Sequence, residues 1–172
     1  MLPANFVKDK SNYDELKELV FDESLYGVWL ETCNETPRER QMFLEKIIED
    51  IEPDGSYLLF AHLIKEKYVN NIFTTNFDDL LNTALLKYYD TVPRIFSHNE
   101  AALYINVHSR RPNIIKLHGD YLFEDIKNTN DETMSLQENM KKKFEEALSV
   151  CGLIVVGYRG SDQSIMKLLE EK

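Results

Sequence analysis

Cysteine is scarce: Cys33 and Cys151 stand far apart, and neither belongs to a CxxC pair. That usage excludes a four-thiolate zinc module and a disulfide framework, and it predicts a reduced, cytoplasmic setting. Glycine is also scarce, with Gly27 and Gly55 the only two before Gly119. No apolar run approaches membrane-spanning length, and the N-terminal segment lacks the apolar stretch of a secretory signal. Basic residues are outnumbered, 20 against 30 acidic, and the net charge of −10 repels phosphate backbones. Neither a membrane nor a nucleic acid is therefore an expected partner. The basic clusters Lys141 to Lys143 and Arg110 with Arg111 are short, lie near Glu145 or Pro112, and read as solvated faces.

What remains is an ordinary globular composition, 43% hydrophobic and 29% charged over 172 residues. Without repeats or low-complexity tracts, that length predicts a single domain spanning the chain. Tyr13, Leu16, Leu19 and Val20, then Leu25, Val28 and Trp29, recur at helical spacing and predict a helical opening. Thr36, Pro37 and Glu39 form a capping-box pattern for a helix whose apolar stripe is Phe43, Ile47, Ile48 and Ile51. Pro53, Asp54 and Gly55 stop it, and Ser56 is the expected cap of a second helix with Leu59, Phe60, Leu63 and Ile64 facing the core. His62 within that helix reads as packed or exposed, not as a ligand.

Residues 71–75, NIFTT, predict a strand, followed by a helix from Asp78 bearing Leu80, Leu81, Leu85 and Leu86. A short strand is expected over residues 94–97, a short helix over 99–105 and a firm strand over 114–117. A helix over 135–150, a fully buried strand over 153–156 and a final helix over 161–171 complete the pattern. Strands separated by helices imply crossover connections, hence a Rossmann-like α/β fold with a mostly parallel sheet and flanking helices. The domain then comprises a helical region, 1–56, and an α/β core, 57–172.

In such sheets ligands bind beyond the carboxyl ends of the strands. Three polar segments follow strands here: TTNFDD at Thr74 to Asp79, HGD at His118 to Asp120, and GYRGSD at Gly157 to Asp162. Each has a plain structural reading, since Asp78 can cap a helix and Gly119 can make a turn. Together they gather a carboxamide, an imidazole, carboxylates and backbone amides at one edge. Gly157 and Gly160 allow close backbone approach, and Ser161 at a helix start offers amides to an anion. A Ser-His-Asp hydrolase is disfavoured because Ser161 lies outside a GxSxG elbow. A metal site is disfavoured because no second histidine stands at ligand spacing from His118.

The ordered segments IFTTNFDDLL, IIKLHGDY and LIVVGYRGSDQSIM resemble the sirtuin-like family of NAD-consuming domains over roughly residues 57–169. The resemblance is closest to its zinc-less bacterial branch, many of whose members hydrolyse NAD in anti-phage defence. It implies NAD as substrate and no metal. By resemblance Asn76 positions the nicotinamide ribose and water, Asp78 holds the nicotinamide amide, and His118 is the catalytic histidine. Thr74, Thr75, Phe77 and Gly119 complete those cofactor-contacting segments. Gly157, Tyr158, Arg159, Ser161 and Asp162 match the segment that contacts the adenosine half.

Two departures follow. Without four cysteines, protein deacylation is disfavoured. The GAGxS-type glycine loop that opens the family's fold is not found, so the expectation is an incomplete sirtuin-like domain, with the loop lying upstream in a longer protein or lost. A non-catalytic nucleotide-sensing or scaffold domain is the alternative function, and pairing with a second copy or with further domains of a longer chain is a possible consequence of a missing strand.

Overall fold

The computed structural model describes residues 36–48, 51–120, 138–160 and 162–170. The helical reading of residues 11–29, the surroundings of Cys33 and the place of Ser161 lie outside the described residues. In chain order the elements are α1 (Pro37–Ile48), α2 (Gly55–Lys65), β1 (Asn71–Thr74), α3 (Leu80–Tyr89), β2 (Arg94–Phe96), α4 (Asn99–Ala102), β3 (Asn113–Lys116), α5 (Glu138–Val150) and α6 (Gln163–Glu170).

The three strands form one parallel sheet in the order β1-β3-β2. Parallel strands need crossovers, and the chain supplies helices for them, so the expected α/β Rossmann-like architecture is observed. Side chains alternate across the pleat, and this splits the core in two. Ile72 and Ile114 face one cluster, built with Ala61 and Ile64 of α2 and Leu81, Ala84 and Leu85 of α3. Ile115 and Leu117 face the other, built with Met140, Phe144 and Ala147 of α5 and Ile165 and Leu168 of α6. Phe73 joins this second face by packing its ring against Phe144, with centroids 4.8 Å apart. Ile115 is fully buried at the sheet centre, and burial of a side chain of that size contributes about 1.5–3 kcal/mol.

Asparagines fix the register at the amino edge of the sheet. The buried Asn113 side chain donates to Asn71 Oδ1 at 2.8 Å and to the Asn106 carbonyl at 3.0 Å, while Asn71 donates to the Val107 carbonyl at 2.8 Å. Because a one-residue slip would turn Ile114 and Ile115 to the wrong faces, this polar clamp and the apolar alternation specify the same pairing.

The capping box forms as the sequence predicts: Glu39 N donates to Thr36 Oγ1 at 3.2 Å, and Thr36 N donates to Glu39 Oε2 at 3.0 Å. Other expectations are corrected. Asp54, not Ser56, caps α2, accepting from the amides of Ser56 and Tyr57. A carboxylate placed before a glycine reaches two orphan amides, and Ser56 falls inside the first turn. Leu59 and Leu63 are exposed, because the inward face of α2 runs through Tyr57, Phe60, Ala61 and Ile64. α3 begins at Leu80, two residues later than expected, and Leu86 faces outward.

The largest correction concerns residues 153–156, expected as a buried strand. Ile154 is 78% exposed and Val156 74%, and no backbone hydrogen bond joins this stretch to the described sheet. An apolar β-branched run has strand propensity, but a strand exists only with a paired neighbour. Among the described residues, no helix is long and apolar enough to cross a membrane.

Candidate functional site

The parallel register places the ends of β1 and β3 side by side. Thr74 and Lys116 are partners, and Leu117 N donates to the Thr74 carbonyl at 2.9 Å. The chain therefore leaves both strands at one edge, entering TTNFDD from the first and HGD from the second. Thr74 Oγ1 accepts from the amide of Asn76 at 3.0 Å, which turns the chain directly after the strand. Asp78 Oδ1 accepts from the amide of Leu80 at 3.0 Å, a turn that leads the chain into α3, whose N-cap residue is Asp79. Asn76 itself is exposed, and Thr75, Phe77 and Asp78 are half-buried.

Asp79 makes no side-chain cap bond, because its carboxylate is turned to Lys116. Lys116, only 1% exposed, donates to the Phe77 carbonyl at 2.8 Å, to Asp79 Oδ1 at 2.9 Å and to Asp120 Oδ2 at 2.6 Å. One buried ammonium thus ties the TTNFDD junction to the HGD turn. A charge in the interior is tolerated only when paired and hydrogen-bonded, and here two carboxylates and a carbonyl meet that requirement. Sequence reasoning passed over Lys116, although a lysine inside the apolar run IIKL was a signal that a buried charge needed partners.

His118 connects the second segment to the third. Its Nε2 lies 2.5 Å from Asp162 Oδ2, within hydrogen-bond distance, with the imidazole 6% exposed. The other ring nitrogen, Nδ1, is buried and has no hydrogen-bond partner among the described residues. The second oxygen of Asp162 caps α6, accepting from Ser164 N at 2.8 Å, Ser164 Oγ at 2.7 Å and Ile165 N at 3.3 Å. Burial works to raise the Asp162 carboxyl, but hydrogen bonds from His118 and Ser164, the charge interaction with His118 and the Ile165 amide outweigh it. The carboxyl is held below its ordinary value. Tyr158 donates from its hydroxyl to the Asp162 carbonyl at 3.2 Å and packs against the second core cluster.

Gly119 (φ +88°) and Gly157 (φ +65°) occupy the left-handed region, which explains glycine at both bends. At Gly157 the space a Cβ would fill is open. Gly157 is exposed, and no described hydrogen bond joins it to the other two segments; Arg159 is also exposed. Tyr57, at the start of α2, stands by TTNFDD: burial raises its phenol above the ordinary value, the Asp78 carboxylate adds to the rise, and a hydrogen bond with Asn76 opposes it. The sequence carried no local signal for this, since Tyr57 reads as one more apolar helix position. A cavity of about 660 Å³ between α1 and the first turns of α3 reaches this edge only at Asp79.

The arrangement brings HGD against both neighbours, through Lys116 on one side and His118 with Asp162 on the other. It offers an imidazole held by a carboxylate, an exposed carboxamide and open glycine backbone, a set suited to gripping a polar ligand and moving a proton. Residues 70–172 match the family model described as SIR2-like domain, while no curated protein matches the chain. SIR2-like domains use NAD as a substrate, so the function of the domain is NAD-related. The match spans more than half the sequence and all three polar segments, and the chain belongs to the SIR2-like domain family.

Proposed function

We propose that this domain cleaves the bond between nicotinamide and ribose in NAD, consuming water and releasing nicotinamide, ADP-ribose and a proton. The observation that carries the reading is the buried His118, held by Asp162 at the edge where TTNFDD also emerges. As the glycosidic bond breaks, its electron pair passes to the ring nitrogen of nicotinamide, and the ribose gains oxocarbenium character. Polar groups around the ribose stabilise that charge, and an imidazole can take a proton from a hydroxyl or from the attacking water. In this reading Asn76 orients ribose and water, Asp78 receives the nicotinamide amide, and His118 is the base. Thr75, Phe77, Gly119, Gly157, Tyr158 and Arg159 surround the remainder of the dinucleotide. No metal takes part, and the setting is the cytoplasm, with phage defence the biological role that the family resemblance supports.

The assay is release of nicotinamide from NAD by the purified protein, alone and with any preceding segment of a longer protein restored. Steady release from either form is the expected result. NAD binding with no release would favour the second reading, a nucleotide-sensing domain, and no release and no binding in either form would defeat both.

A further inference from the structure

The polar contacts of His118 are one-sided. Nε2 faces Asp162 Oδ2 at 2.5 Å, and Nδ1, buried, faces no donor or acceptor among the described residues. A carboxylate oxygen can only accept, so Nε2 must carry the ring proton in the neutral imidazole. Asp162 cannot turn to offer something else, because Oδ1 is engaged by Ser164 N, Ser164 Oγ and Ile165 N. The carboxylate is thereby clamped by the start of α6, and Oδ2 is left to the histidine. An orphaned buried acceptor is uncommon in a native interior and calls for a donor.

We propose that Asp162 is a positioning residue that fixes His118 as the Nε2–H tautomer, making Nδ1 the proton acceptor for a hydroxyl of the bound nucleotide. This rests on the reading of His118 as the acting imidazole. It also reassigns Asp162, which the sequence resemblance placed among the adenosine contacts. The acceptor then points away from Asp162, so the ligand hydroxyl approaches the ring from the opposite side. Binding of the hydroxyl supplies a donor that Nδ1 does not find among the described residues. Tyr158, donating to the Asp162 carbonyl at 3.2 Å, helps to hold the same turn.

Asp162→Asn discriminates this role from a merely structural one. The three donors at Oδ1 select the amide oxygen for the cap, so the NH2 group is presented to His118 Nε2 and reverses the tautomer. Long-range proton–nitrogen spectra of the full chain, with histidine labelled, read this directly. In the native protein at neutral to mildly alkaline pH, His118 is expected to show a bare Nδ1 and a protonated Nε2. In Asp162→Asn the two signals exchange, and kcat for NAD cleavage falls about a hundredfold or more with KM little changed, the loss expected when a general base is misoriented.

A protonated Nδ1 in the native protein overturns the proposal, as does an unchanged tautomer in a folded Asp162→Asn. Should that variant fail to fold, the native spectrum decides alone. If the spectra behave as expected but the native protein turns over no NAD, the proposed activity fails while the hold of Asp162 on the His118 tautomer stands.

Discussion

Alanine at His118 is expected to lower the rate of NAD cleavage by about 10²- to 10⁴-fold, the range that a positioned acid or base contributes. The imidazole lies at the strand-end edge with one nitrogen facing Asp162, so on the proposed mechanism its removal deletes the proton acceptor, while the three-stranded sheet does not depend on it. Binding should change far less than turnover, because in the proposed reading several segments grip the dinucleotide and His118 acts at one bond. Alanine at Asn76 should act in the same direction through loss of ribose and water positioning, and its exposure predicts little loss of stability. The measurement is kcat and KM from nicotinamide release, with a denaturant melt of each variant. A His118→Ala protein that folds and retains full kcat removes the histidine from the chemistry.

The largest effect on stability is expected at Lys116. Replacing it with methionine preserves the stem but removes the ammonium, so the buried Asp120, 5% exposed at its side chain, loses this ion pair. The Phe77 carbonyl loses a donor as well, whereas Asp79, at 27%, retains access to water. Breaking a buried pair by removing one partner costs about 3–5 kcal/mol, a large share of the stability of a domain this size. Denaturant unfolding should show that loss, and Lys116→Met combined with Asp120→Leu should recover part of it, because the buried carboxylate that faced the ammonium is then gone too. A single variant that loses less than about 1 kcal/mol would contradict the hub assigned to this lysine. Because the same ammonium holds Phe77 and Asp79, the folded fraction of Lys116→Met should also cleave NAD more slowly.

These two residues show why parts of the molecule were legible from the sequence and others were not. Thr36, Pro37 and Glu39 were readable because a capping box is a local pattern, decided within four residues. Strands β1 and β3 were readable because NIFT and NIIK are short β-branched runs with turn chemistry at both ends. Residues 153–156 carry the same signal, yet they are exposed, since pairing depends on a neighbour that propensity does not supply. The inward face of α2 shifted from Leu59 and Leu63 to Tyr57 and Ala61 because one helix turn offers two apolar stripes, and only packing on α3 selects between them. At the site, glycine at 119 and 157 foretold bends, and the positive φ values agree. The pairing of His118 with Asp162 spans 44 residues, and that of Lys116 with Asp79 spans 37. No local pattern encodes such contacts; the first forms where the start of α6 meets the end of β3, the second where parallel register sets the ends of β1 and β3 side by side.

The central claim is that TTNFDD, HGD and GYRGSD form one NAD-binding edge. It is tested most directly by titrating the protein with NAD while following assigned backbone amide signals. The account predicts that Asn76, Gly119 and Gly157 shift together along a single binding curve, with the exposed Ile154 unmoved. Saturable shifts confined to one of the three segments, or clustered instead around the cavity beside α1, would contradict it.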